Sequence, residues 1–279
     1  MKQPILIIHG GAGSRFKDAA KRSQVREKIE KILSAAFEKL KISSLEAVTY
    51  AVKLLENDPA FNAGTGSLLQ SDGHARLSAS IMDGPQLRFA GVINLENIKN
   101  PVLVALALLK EKDRGRCGEG AFRFAKKMGL KPADTRTVQA LQRWRKDKKT
   151  GMDTVGACAL DSRGRLASAT STGGRGLEFP GRVSDSGMPV ANYADARCAI
   201  SATGIGEEIM DQGLAVRIAV RMQDGLSLQS AFEKTFREIR SRKHKMGAIG
   251  VDYKGNIMQA TTTEVLIYGW QKDKQQKTF

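Results

Sequence analysis

A change of character near residue 153 limits the fold of this chain more than any single motif does. Residues 131–152 are polar and basic and show no sustained apolar period. Order then resumes at once with Thr154-Val-Gly-Ala-Cys-Ala-Leu160, an apolar run of strand length. A turn signal at Asp161-Ser-Arg-Gly164 and a return run Arg165–Thr170 predict a hairpin. Before the break, Pro4–Ile8 reads as a buried strand, and Val25–Leu40 and Ser44–Glu56 read as helices, the second with Ser44 as N-cap. Residues 74–83 and 87–93 alternate as a hairpin around Asp83-Gly84-Pro85. Pro101 opens a helix to Lys110, and Glu119–Met128 forms another. After the break, Gly206–Met222 and Leu226–Arg240 read as helices, and Gly247–Asp252, Asn256–Thr261 and Glu264–Trp270 as strands. Both halves therefore place sheets against helices, which predicts a layered α/β or α+β domain without internal repeats.

Composition narrows the function. With 279 residues, 41% apolar and 27% charged, the chain can bury a substantial core. Its longest apolar run, Val102–Leu109, is too short to cross a bilayer. The first residues lack the features of a signal peptide, so a cytoplasmic protein is expected. Three cysteines without a Cys-x-x-Cys pair argue against a disulfide scaffold or zinc ribbon. Three histidines without paired helical spacing argue against a histidine metal site. The net charge of +16 is uneven: residues 1–153 hold 28 Lys/Arg against 16 Asp/Glu, and 154–279 hold 17 against 13. Arg136–Lys149 alone carries six basic residues and one acid. That segment reads as a solvated, flexible basic linker, 131–153. Nucleic-acid binding would need a recognisable module or interleaved aromatics, and Trp144 alone supplies neither.

His9-Gly10-Gly11-Ala12-Gly13 follows a strand as a dinucleotide fingerprint would, yet it lacks the third glycine and the distal acid. No nucleophile-elbow, Walker or EF-hand pattern occurs. Thr154 offers a different chemistry. A break of the Asp153–Thr154 bond would leave its α-amine free beside its own hydroxyl. Such an amine titrates near ~7.7–8.0, so it can take the hydroxyl proton without a histidine. Downstream lie Thr170-Ser171-Thr172-Gly173-Gly174, Gly181-Arg182-Val183-Ser184-Asp185-Ser186 and Thr203-Gly204-Ile205-Gly206-Glu207. Taken singly, each is a common turn composition, and Arg182 and Asp185 could simply pair with each other. Together they supply a nucleophile, hydroxyls to orient it, a cation, an anion and a Thr-Gly donor pair.

These segments, with Phe61-Asn-Ala-Gly-Thr-Gly66, Ser80-Ile-Met-Asp-Gly84 and Tyr193-Ala194, resemble the plant-type asparaginase/isoaspartyl peptidase family in order and spacing. The resemblance implies an α+β fold, the four-layer αββα sandwich of N-terminal nucleophile hydrolases. It implies one domain, 1–279, cut before Thr154 into an α chain (1–153) and a β chain (154–279) that associate as an (αβ)2 homo-oligomer. The substrate would be a small molecule, L-asparagine or a β-aspartyl dipeptide, hydrolysed through a β-aspartyl ester of Thr154. Thr172 would hold the nucleophile, Arg182 the substrate α-carboxylate, and Asp185 and the Gly206 carbonyl its α-ammonium. Thr203 and Gly204 would form the oxyanion hole. No catalytic cofactor is implied; a structural sodium ion would be wrapped by backbone carbonyls of Leu55, Glu56, Asp58, Phe61, Ala63 and Thr65. Asp153 departs from the glycine that many such asparaginases carry before the nucleophile. Asp-Thr occurs instead in the related glycosylasparaginases, whose activity is the nearest alternative. A non-processing, polyanion-binding homologue is the alternative from another class.

Overall fold

The computed structural model describes residues 2–14, 16, 18–146 and 154–279. Its elements, in chain order, are β1 (Ile5–Gly13), α1 (Ala19–Phe37), α2 (Ser44–Asn57), β2 (Leu77–Asp83), β3 (Arg88–Leu95), α3 (Pro101–Leu108), β4 (Gly115–Cys117), α4 (Gly118–Lys127) and α5 (Val138–Arg145). After the break come β5 (Val155–Leu160), β6 (Leu166–Thr172), β7 (Asn192–Ala194), β8 (Cys198–Gly204), α6 (Gly206–Gln212), α7 (Leu214–Gln223), α8 (Leu228–Ser241), β9 (Met246–Asp252), β10 (Ile257–Thr261), β11 (Val265–Lys272) and β12 (Gln275–Thr278).

Two sheets form the centre: β12-β11-β1-β5-β6-β2-β3-β4, and β10-β9-β8-β7. The period of two in a strand sends alternate side chains to opposite faces, and here both faces are buried. Leu6 and Ile8 of β1, with Val155, Ala157 and Ala159 of β5, pack outward against Ile29 and Leu33 of α1 and Val48 and Val52 of α2. Ile5, Ile7, Cys158 and Leu160 point the other way, onto Ala199, Ile249 and Val251 of the smaller sheet. That sheet turns Ile200, Ala202 and Ala248 toward Ile218 of α7 and Phe232 and Phe236 of α8. The layers therefore run helix, sheet, sheet, helix, as the resemblance implies. Strands from both sides of residue 153 alternate in the large sheet, with β1 beside β5 and β6 beside β2.

Some expectations are corrected. The N-cap of α2 is Ser43, whose side chain accepts from the Glu46 N–H, and Ser44 is the first helical residue. The helix expected over 206–222 is two, because Gly213 takes a left-handed conformation (φ 54°) between α6 and α7. The linker reading of 131–153 misses α5, which Thr137 caps through the Ala140 N–H. Ala140, Leu141 and Trp144 share one helix face at i, i+1 and i+4, and they pack with Leu69 and Ala75. One apolar face on an eight-residue helix is submerged among the surrounding Arg and Lys when the sequence is read by window. Residues 147–153 of that segment lie outside the described residues.

Candidate active site

Alternation determines where the polar residues of β5 and β6 can go. Cys158 and Leu160 face the smaller sheet, so Gly156 and Thr154 fall on the same side. By the same parity Leu166, Thr170 and Thr172 of β6 face inward. Thr154 heads the strand almost wholly buried, and its hydroxyl donates to Thr172 Oγ1 at 3.3 Å. Thr172 Oγ1 also accepts from the Gly174 N–H at 3.1 Å, which fixes it from the far side.

A small pocket opens in front of this pair, lined by Thr154, Thr172, Arg182, Asp185, Gly204 and Gly206 among others. Thr172 meets the Thr154 hydroxyl, and four further sequence-named residues line the same pocket. Thr203, at the end of β8, is wholly buried next to Gly204. Gly204 has φ +143°, and a Cβ there would sit 2.6 Å from the Lys245 carbonyl. Only glycine keeps this edge of the pocket lined by backbone. A Cβ on Gly206 would lie 2.5 Å from both Arg182 Nη2 and Asp185 Oδ1, filling the space between cation and anion.

Arg182 and Asp185 do not satisfy each other with a direct ion pair. Arg182 is held by Glu207, with Nε and Nη2 donating at 3.0 and 3.2 Å. The remaining guanidinium donors stay available to the pocket. Asp185 is buried; its Oδ1 accepts from Ser184 Oγ at 3.3 Å, and its Oδ2 has no hydrogen-bond partner. Burial pushes its carboxyl up to about 6, with Arg182 opposing the shift. A buried carboxylate oxygen of this kind lacks a donor supplied by the surrounding protein.

Behind the nucleophile lies a group without an assigned role in the sequence reading. His9 Nε2 is 2.9 Å from Ser201 Oγ, which is 2.7 Å from Thr170 Oγ1. The other ring nitrogen, Nδ1, is buried without a hydrogen-bond partner, and the Thr154 backbone lies beside the ring. Burial lowers the His9 pKa to about 3, so the ring is neutral. Gly156 is what lets this ring approach: a Cβ there would meet Ser201 Oγ at 2.0 Å and His9 Nε2 at 2.4 Å. The sequence signal for His9 was its place at the end of a buried strand opposite β5, visible only once β1 and β5 are paired. Ser184 and Glu207 lay inside the named motifs, but their partners were not legible there.

The loop after α2 packs its own backbone carbonyls closely, the donor type that the expected sodium ion would need. A Cβ on Gly64 would strike the Glu56 carbonyl at 2.3 Å, and one on Gly66 the Phe61 carbonyl at 1.9 Å, so backbone oxygens crowd inward where only glycine fits. Thr65 Oγ1 is buried there without a hydrogen-bond partner. Carbonyl oxygens of this kind replace the hydration shell of an alkali ion. Among the described residues no cluster of His, Cys, Asp or Glu is arranged to hold a metal.

An αββα sandwich with a threonine heading an inner strand defines the class of N-terminal nucleophile hydrolases. Within it, this chain belongs to the asparaginase family: the family model described as Asparaginase matches residues 2–279. It is 40% identical to the isoaspartyl peptidase/L-asparaginase of Nostoc sp., covering 95% of this chain and 91% of that protein. It is 34% identical to the plant-type L-asparaginase of Pyrococcus abyssi, over 96% of each chain. It is also 34% identical to the isoaspartyl peptidase of Escherichia coli, over 97% of this chain and 93% of that one.

Proposed function

We propose that the chain is a self-processing amidohydrolase that cleaves the β-amide of L-asparagine and of β-aspartyl dipeptides. The observation that carries this reading is one pocket holding the Thr154–Thr172 hydroxyl pair at 3.3 Å and a buried, unpartnered Asp185 Oδ2 next to Arg182. An α-amino-acid head group carries one cation and one anion a few ångströms apart, and this pair complements it.

In processing, Thr154 Oγ adds to the Asp153 carbonyl, the peptide C–N bond breaks, and water hydrolyses the resulting ester. The freed amine then takes the proton from Oγ. Arg182 grips the substrate α-carboxylate, while Asp185 and the Gly206 carbonyl hold the ammonium. Oγ attacks the β-carbonyl, and its oxygen charge develops against Thr203 and Gly204. The leaving amine departs with the amine's proton, and water releases aspartate from the Thr154 ester. Asp153 lies outside the described residues, and its part in the first step belongs to this reading.

A sodium ion in the 55–65 loop would be held by carbonyls of Leu55, Glu56, Asp58, Phe61, Ala63 and Thr65, supplying rigidity rather than chemistry. Replacing sodium chloride by choline chloride is expected to lower the melting temperature; an unchanged melting temperature counts against the ion. The enzyme would work as (αβ)2 in the cytoplasm, a compartment that suits three free cysteines.

The test is the purified protein on a denaturing gel and an activity panel. Two bands are expected, one beginning at Thr154, with turnover of asparagine or a β-aspartyl dipeptide and none of glycosylated asparagine. Thr154→Ala should stay a single band and be inactive. An intact wild-type chain after long incubation overturns the reading, and turnover confined to glycosylated asparagine reassigns the substrate.

A further inference from the structure

A second arginine reaches the pocket from a turn that is unusually constrained. Gly174 (φ +87°), Gly176 (φ +81°) and Leu177 (φ 59°) all take left-handed conformations around Arg175. Such backbone persists only when its surroundings hold it. They do: Asn62 Nδ2 donates to the Gly174 carbonyl at 2.6 Å, and the Leu177 N–H donates to the Leu69 carbonyl at 2.8 Å. The Arg175 N–H donates to Glu178 Oε1 at 3.0 Å, and Glu178 is itself 4% exposed. The backbone of Arg175 is thus fixed at the pocket lining.

Its guanidinium is not. The side chain is 49% exposed and approaches Glu207 only to 3.6 Å, beyond hydrogen-bond reach, while Glu207 is already engaged by two donors of Arg182. Arg182 and Asp185 between them meet both charges of the aspartyl head group. Arg175 is a cation beyond what that head group needs.

The two substrate classes differ in what lies on the leaving side. Asparagine releases ammonia, which carries no further group. A β-aspartyl dipeptide releases an α-amino acid whose carboxylate carbon is two bonds from the scissile nitrogen. That carboxylate lies beyond the scissile bond, outside the contacts that Arg182 and Asp185 make with the head group. Resting on the reading above, we infer that Arg175 binds the carboxylate of the leaving amino acid and so selects β-aspartyl dipeptides with a free C-terminus. A half-exposed pair of this kind lies between a surface ion pair and a charge-assisted hydrogen bond, a preference of about 5- to 20-fold.

The decisive comparison is kcat/KM for β-Asp-Leu against β-Asp-Leu amide, with asparagine as the third substrate. In the processed wild type the acid should exceed the amide by about 5- to 20-fold, chiefly through KM, and the ratio should shrink as salt is raised. In Arg175→Gln the ratio should fall to about 1, and Arg175→Lys should recover part of it. A wild-type ratio near 1 overturns the inference without any variant being made, and so does a ratio that survives Arg175→Gln. Either result leaves the hydrolase reading in place. If the wild type turns over neither dipeptide nor asparagine, both fall.

Discussion

Asp185 and His9 are both buried ionisable groups, and burial moves them in opposite directions. The Asp185 carboxyl rises to about 6, so the free enzyme loses the anion proposed to meet the substrate ammonium as pH falls below that value. The kcat/KM profile should drop up to tenfold per unit below pH 6, and Asp185→Asn should lower kcat/KM by about 10²-fold with the acid limb gone. A limb that persists in the variant would assign it to another group. The stability signs follow from linkage. Asp185 is raised above its ordinary 3.8, so its stabilising contribution is full below that and is lost as pH rises toward about 6. His9 is depressed from 6.5 to about 3, so its contribution is present above 6.5 and is lost as pH falls through that range. Both residues were visible in the sequence, but neither shift was, because burial is a property of the packed chain.

At the scale of the element, most strands and helices were legible, and the exceptions have physical causes. The hairpins β2–β3 and β5–β6 were marked by turn residues between apolar runs. β8 and β12 were not recognised as strands. β8 is hidden in Cys198-Ala-Ile-Ser-Ala-Thr-Gly204, where small residues on both faces erase the alternation. β12 is a four-residue edge strand of polar residues that, among the described residues, pairs with β11 alone. α5 matters most here. Trp144 Nε1 donates to the Ser71 carbonyl at 3.3 Å, and its ring lies where a Cβ on Gly73 would be 3.1 Å away. The neighbouring Ser71 N–H in turn donates to the Glu178 carbonyl on the turn that carries Arg175. Trp144→Ala removes a half-buried ring and should cost about 1–2 kcal/mol, seen as a melting temperature lowered by about 2–6 °C. An unchanged melting temperature would return α5 to the role of a tether.

On the scale of the whole molecule, the sheet order carries a consequence for the proposed cut. β1, from before the break, is hydrogen-bonded to both β5 and β11, and β6 is hydrogen-bonded to β2. Separating the two chains would strip five strands, β11, β1, β5, β6 and β2, of partners and expose the cores on both faces. The processed chains should therefore co-elute on size exclusion at neutral pH and part only in denaturant, at an apparent mass of two αβ units. Separation without denaturant would contradict the interleaving, and elution as one αβ unit would contradict the dimer. The charge of +16 is spread over a surface on which many arginines already have acidic partners, such as Arg76 with Asp72 and Glu96, and Arg221 with Glu238.

The sequence alone determined the family resemblance, the hairpins, and the candidate nucleophile and head-group residues, because each is written in local composition and spacing. Tertiary structure decided which groups meet. It paired Arg182 with Glu207 rather than Asp185, left Asp185 Oδ2 unpartnered, joined His9 to Ser201 and brought Arg175 to the pocket lining. Those relations join residues that lie up to 192 positions apart. Spacing along a chain cannot encode which of several cations an anion will reach, since strand pairing and burial settle that only when the layers close.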